Sequence, residues 1–161
     1  MERLWAPWRA ELFEQTGEKP SGCVFCTLPA EGSASDEKNL IVHRGSACFV
    51  ILNKYPYTAG HLMVIPFEHT DDVAQMASVA KECFELADRS ITALKAVMGA
   101  EGFNLGMNLG KVAGAGVPGH GHLHVVPRWS GDHNFMPVLT DRRVVNEGNA
   151  EVWRRLRPHF E

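Results

Sequence analysis

No apolar run in the chain approaches the roughly 18 residues that a membrane-spanning helix requires, so no membrane partner is expected. No sign of charge dominates either. Sixteen Lys and Arg against 19 Asp and Glu give a formal net charge of -3, which is no footprint for a nucleic acid partner. The opening residues, Met-Glu-Arg-Leu-Trp-Ala-Pro-Trp, lack the apolar core of a secretory signal. Cysteine is scarce: Cys23, Cys26, Cys48 and Cys83. Without a secretion signal, these read as thiols of a reduced cytoplasm rather than as a disulfide framework. What remains is an ordinary composition, 45% hydrophobic and 22% charged, in 161 residues, which suits one domain spanning 1–161 with its own core.

The informative stretch is Gly116 to Trp129, Gly-Val-Pro-Gly-His-Gly-His-Leu-His-Val-Val-Pro-Arg-Trp. His120, His122 and His124 alternate with Gly121 and Leu123, and Val125-Val126-Pro127 follows, a strand pattern closed by a breaker. Alternate residues of a strand share a face and sit roughly 7 Å apart. The pattern therefore predicts three imidazoles on one face, able to divide the roles of nucleophile, donor and metal or orienting ligand. No paired carboxylates stand beside the motif, so no catalytic magnesium is implied.

His-x-His-x-His followed by two apolar residues, Pro and Arg resembles the histidine triad family of nucleotidyl hydrolases and transferases. The resemblance implies a nucleotide substrate, with adenine nucleotides first in line, and attack on the α-phosphate by the middle histidine, His122. On chemical grounds His124 then donates to phosphate oxygens, and His120 is an orienting or acid group if it is not bound to metal. The resemblance also assigns Asn53 to the ribose hydroxyls, although on its own Asn53 reads equally well as a turn residue. Asn108 matches a family Asn or Gln that contacts phosphate or ribose. His61 matches a family histidine that sits behind the nucleophile, a supporting rather than a reacting group. Val24, Phe25, Leu52 and Met63 are expected to form an apolar slot for the base, with Phe25 as the stacking side chain. The family usually carries Gly-Gln-Ser/Thr-Val before the motif. Here Gly114-Ala115-Gly116-Val117 leaves the backbone around Gly116 and Val117 to meet the phosphates, as a glycine-rich anion nest or else as a flexible hairpin loop. The segment Pro127 to Phe135 resembles bacterial members related to diadenosine tetraphosphate phosphorylases.

Cys23-Val24-Phe25-Cys26 can present two thiolates to a tetrahedral zinc, but a redox pair or two core cysteines fit the spacing as well. In the related hexose-phosphate uridylyltransferases such a pair joins a histidine of a Pro-x-x-His turn and the first histidine of the triad-like motif. By that resemblance, Cys23, Cys26, His69 and His120 hold a structural zinc, with His43 as the rival fourth ligand.

The remaining segments read as scaffold. Residues 1–22 form an N-terminal arm whose Leu4, Trp5, Trp8 and Leu12 need cover, from this chain or across a dimer. Residues 27–38 read as a surface loop. Leu40 to His43, Ala47 to Asn53, His61 to Pro66 and Phe103 to Asn108 read as strands, the second and third as a hairpin. Thr70-Asp71-Asp72 offers a capping hydroxyl and acids to a helix N-terminus. A helix from about Ser78 to Met98 is expected to bury Ala80, Cys83, Phe84, Ala87, Ile91, Leu94 and Met98. Residues 136–161 form a C-terminal extension with an edge strand over Val138 to Glu147 and a helix over Glu151 to Leu156 anchored by Trp153. The fold class is α+β: an antiparallel sheet of about five strands, one long helix and a C-terminal helix. The family resemblance adds a homodimer with the sheet continued across it. Three functions fit: a hydrolase or phosphorylase of dinucleoside polyphosphates or nucleoside phosphoramidates, a strict diadenosine tetraphosphate phosphorylase (an adenylyltransferase), and a nucleotide-binding adaptor with little turnover.

Overall fold

The computed structural model describes residues 22–132 and 148–161. The expected arm over 1–22, apart from Gly22, and the expected edge strand Val138 to Glu147 lie outside the described residues.

Five antiparallel strands form one sheet in the order β1-β2-β3-β5-β4. They are β1 (Ile41–Arg44), β2 (Cys48–Leu52), β3 (Leu62–Pro66), β4 (Gly102–Gly106) and β5 (Leu123–Arg128). Helices α1 (Val24–Ala30) and α2 (Asp36–Asn39) precede the sheet. A short α3 (Val73–Met76) and the long α4 (Ala80–Met98) lie between β3 and β4, and α5 (Asn149–Leu156) ends the chain.

The sheet divides the core in two because its side chains alternate. Val50 and Leu52 of β2, Leu62 and Val64 of β3, and Leu123 and Val125 of β5 pack with α4 and α5. Phe49 and Ile51 of β2 and Met63 and Ile65 of β3 pack on the other side with Phe25 of α1. β2 and β3 are buried throughout, which is why they read as continuous apolar runs. His124 follows Leu123, so it turns away from the long helix toward the α1 side.

Several expectations need correction. α4 starts at Ala80, after a 3-10 turn over Ala77–Val79, rather than at Ser78. Its buried residues are Cys83, Leu86, Ala87, Ser90, Ala93 and Leu94. Phe84, expected inside, is 62% exposed. The series 83, 86/87, 90 and 93/94 satisfies the same helical spacing, and the small residues at 87, 90 and 93 let the helix lie close to the sheet. Residues 27–38 are at the surface as expected, but helical: α1, a 3-10 turn and α2 replace the loop. The cap of α3 is the Asp72 carboxylate, which accepts from Ala74 N at 2.8 Å, while the Thr70 hydroxyl accepts from Asp72 N at 3.1 Å. Trp153 anchors α5 as expected, donating its indole N–H to Ile41 O at 2.8 Å.

Glu82 has a further role. Its carboxylate accepts from the backbone amides of Ala47 (3.1 and 3.0 Å) and Cys48 (3.3 Å), clamping the turn that starts β2 onto α4. A Cβ at Gly45 would collide with that carboxylate. Bonds to a charged acceptor contribute about 1.5–3 kcal/mol, so Glu82→Ala is expected to lower unfolding free energy by about 2 kcal/mol in urea titrations. A change below about 0.5 kcal/mol, the size of a neutral surface substitution, would refute the clamp.

Candidate active site

The three histidines do not form one row. β5 starts at Leu123, so only His124 is a strand residue and His120 and His122 lie on the extended approach. That approach is tight. Gly121 N donates to Thr70 O at 2.7 Å, and a Cβ on Gly121 would run into Met76 and Met107. Glycine is required between the histidines because α3 packs directly over it.

All three rings are buried: His120 is 1%, His122 4% and His124 8% exposed. Main-chain groups set their tautomers. The Nδ1 of His122 lies 2.8 Å from His120 O. A carbonyl only accepts, so Nδ1 carries the proton and Nε2 keeps its lone pair. The opposite assignment holds for His124. Tyr57 N donates to His61 Nδ1 at 3.1 Å, so neutral His61 carries its proton on Nε2. That nitrogen lies 2.9 Å from His124 Nδ1 and donates to it, which leaves the His124 proton on Nε2. The two ring centroids are 4.9 Å apart at 74°. Adjacent imidazoles are thus locked as a lone-pair bearer and a proton donor. Burial pushes the His122 imidazole below its ordinary range, keeping it neutral at pH 7. His61, expected behind His122, instead backs His124, its Nε2 2.9 Å from His124 Nδ1 and the two ring centroids 5.0 Å apart.

His120 faces elsewhere. Its Nε2 donates to Pro66 O at 2.8 Å, so its Nδ1 lone pair points at Cys23 Sγ (3.3 Å), Cys26 Sγ (3.6 Å) and His69 Nδ1 (3.2 Å). Cys26 Sγ is 3.4 Å from His69 Nδ1. All four donor atoms lie within 4.8 Å of one another. Around a tetrahedral zinc with bonds of about 2.3 Å to sulfur and 2.05 Å to nitrogen, donors are separated by about 3.3 Å (N to N) and 3.5 Å (N to S). The separations fit a four-coordinate metal site, and the carbonyl behind His120 is the usual outer partner of a ligating imidazole. His43, the rival ligand, is not in this cluster; its ring lies 5.6 Å from that of Phe160.

A cavity of about 640 Å³ opens in front of His122 and His124. Val24, Phe25, Leu52 and Met63 line it, as expected of the apolar slot, together with Asn53, Gly116 and Val117. The Phe25 ring meets the His122 ring edge-on at 5.0 Å. Asn53 is held by Tyr55 N on its Oδ1 (3.0 Å) and by His61 Nδ1 near its Nδ2 (3.3 Å). Asn108 is not in the lining, contrary to expectation. It follows β4, which ends at Gly106, and the loop carries Gly114, Gly116 and Val117 to the cavity instead. Part of the expected anion nest is also closed. Ala113 N, Gly114 N and Ala115 N bond carbonyls within the loop, and among the described residues only the Gly116 and Val117 amides of 113–117 stay available. Sequence reasoning missed Lys38, Asn39 and Tyr57, which also line the cavity. Lys38 ends the segment read as a loop, and Asn39 falls between that segment and the strand expected from Leu40. The ring of Tyr57 lies 4.6 Å from that of His61 and 5.7 Å from that of His124, and no spacing signal marks it.

The HIT domain model matches residues 35–131. Over 153 residues the chain is 35% identical to AP-4-A phosphorylase of Mycobacterium tuberculosis, covering 90% of this chain and 77% of that protein. A Zn-bound histidine triad family protein from Mycobacterium smegmatis is similar in structure, with a TM-score of 0.69 and 31% identity over 86% of this chain and 93% of that one. A hypothetical histidine triad nucleotide-binding protein from Sulfolobus tokodaii gives 0.61 and 28% over 86% and 91%. Since the matched span holds all five strands and all three motif histidines, the chain belongs to the HIT domain family of histidine triad proteins.

Proposed function

We propose that this HIT enzyme is a nucleotidyl hydrolase or transferase that opens the α-phosphate bond of dinucleoside polyphosphates or nucleoside phosphoramidates through a nucleotidyl-histidine intermediate. The observation that carries the reading is the pair of opposite tautomers at the cavity wall. The His122 Nε2 lone pair forms a bond to the α-phosphorus as the bond to the leaving group breaks. The positive charge gained by the His122 ring is stabilised through Nδ1–H on His120 O. The His124 Nε2–H stabilises charge developing on phosphate oxygen, together with the amides of Gly116 and Val117. In the second step water or phosphate attacks phosphorus and the His122 lone pair returns. An adaptor without turnover has no use for two rings fixed in opposite proton states.

Similarity to AP-4-A phosphorylase supports a narrower reading, strict phosphorolysis with phosphate as acceptor and adenylyl transfer as the first half-reaction. Strict dependence of product on added phosphate, across a panel of dinucleotides and phosphoramidates, selects it.

Cys23, Cys26, His69 and His120 are proposed to hold zinc, as the donor separations and the Zn-bound relative support. With all four positions filled by protein, the ion would be structural, pinning α1 to the approach of the motif. A homodimer is proposed through β4, the strand at one edge of the sheet, where Leu105 is 43% exposed. The four free thiols suit the cytoplasm as compartment.

His122→Asn is expected to lower kcat at least about a thousandfold with nucleotide affinity retained, and to abolish the adenylyl adduct seen by mass spectrometry after quenching with diadenosine tetraphosphate. Substantial residual turnover would remove His122 from the nucleophile role. For the metal, protein purified without chelator is expected to carry about one zinc per chain, and Cys26→Ser to lose it with a fall in Tm of several degrees. Metal-free wild type, or an unmoved Tm, would count against the site.

A further inference from the structure

We propose that Asn39 selects the base, favouring a purine with an amino group at position 6, adenine, over one with a carbonyl there. The inference rests on the nucleotidyl reading of the cavity and goes beyond it by naming the residue that chooses the nucleotide.

Position comes first. α1 starts beside the Cys-His cluster, where Cys23 and Cys26 approach His120. Phe25 touches His122. Leu28, three residues on, is one helical turn farther along and lines the same cavity. Asn39 bonds to the carbonyl of Leu28 at 3.2 Å. The contacts His122–Phe25 and Leu28–Asn39, joined by one turn of α1, trace a path along the cavity wall away from His122. A nucleoside 5′-phosphate laid in the cavity, with phosphorus at His122 and ribose at Asn53, directs its base along that path.

Chemistry fixes which atom Asn39 offers. Its Nδ2 has two partners, Leu28 O and Glu31 Oε2 at 3.0 Å. Both are pure acceptors, so the nitrogen must face them and the amide cannot be flipped. Oδ1 is turned the other way. Asn39 is 8% exposed, it lines the cavity, and among the described residues no hydrogen bond is made to its oxygen. A carbonyl oxygen open to a largely apolar cavity seeks an N–H donor from whatever binds there. Adenine presents its exocyclic amine there. Guanine and hypoxanthine present a carbonyl, which would oppose lone pair to lone pair and leave Oδ1 unsatisfied.

The backbone beside Asn39 supports a special role for the position. Leu40 has φ 62 and ψ 22, and is the only non-glycine residue with positive φ among the described residues. A side-chain-bearing residue adopts that left-handed conformation at a cost. It turns the chain from α2 into β1 and leaves both Asn39 and Leu40 in the cavity wall.

The test compares diadenosine with diinosine tetraphosphate, which differ at position 6 of the base. Wild type is expected to favour the adenosine substrate in kcat/KM by about tenfold, and Asn39→Leu to bring the ratio close to one. Asn39 also holds Leu28 and Glu31, so the same question is put to wild type alone. AMP is expected to inhibit about tenfold more tightly than IMP or purine riboside monophosphate, which lacks any group at position 6. Equal inhibition by the three, or an unchanged ratio in a folded Asn39→Leu, overturns the proposal. An adduct on His122 that forms equally well from both dinucleotides sinks base selection alone. No adduct from either sinks the nucleotidyl-histidine reading beneath it.

Discussion

The site depends on hydrogen bonds between imidazoles and the main chain. Pro66 O takes the Nε2 proton of His120, His120 O takes the Nδ1 proton of His122, and Tyr57 N fixes His61, which in turn fixes His124. A neutral imidazole has two tautomers of similar energy, and water would leave each ring in a mixture. Main-chain groups fixed by β3 and by the packed segments beside it cannot rotate to suit either. One ring therefore offers its lone pair to the Cys-His cluster, the next offers one to the cavity, and the last offers a proton.

The sheet makes this possible by separating tasks. Its α4 face is mainly apolar and supplies most of the core. The α1 face carries the histidines, the slot and the Cys-His cluster. Leu123 and His124 are neighbours in sequence, yet one is bedded in core and the other faces the cavity. The rings are rigid because the residues between them are packed on the other side.

Much of this was legible in the sequence. The continuous apolar runs marked β2 and β3, and the alternating histidines marked the site. The Cys-x-x-Cys pair, Pro66-x-x-His69 and His120 came together once family resemblance linked them, although they are up to 97 positions apart. What stayed hidden depends on three-dimensional context. Phe84 obeyed a helical period that Leu86 obeyed equally well, and only the sheet decides between them. Asn108 was assigned by alignment of pattern, whereas the loop path brings other residues to the cavity. Residues 27–38 are small and polar, with little periodicity. Their helices are held by tertiary bonds instead: Arg44 to Asp36 at 2.7 Å and to Pro29 O at 2.9 Å, and Asn39 to Leu28 O. Polar residues of the cavity wall, Lys38 and Asn39, therefore lay at and just beyond the end of the segment that looked least structured.

The two rims of the sheet are treated differently. On β1, two main-chain carbonyls are taken by side chains of the C-terminal segment, Ile41 O by Trp153 and Val42 O by Arg157, and His43 lies against Phe160. On β4 the last three residues are exposed. A ribbon open on both sides can recruit neighbours endlessly and grow into a fibre. The C-terminal segment stoppers the β1 rim, which offers less open backbone to another chain. The C-terminal segment thus guards one rim of the sheet as well as completing the core.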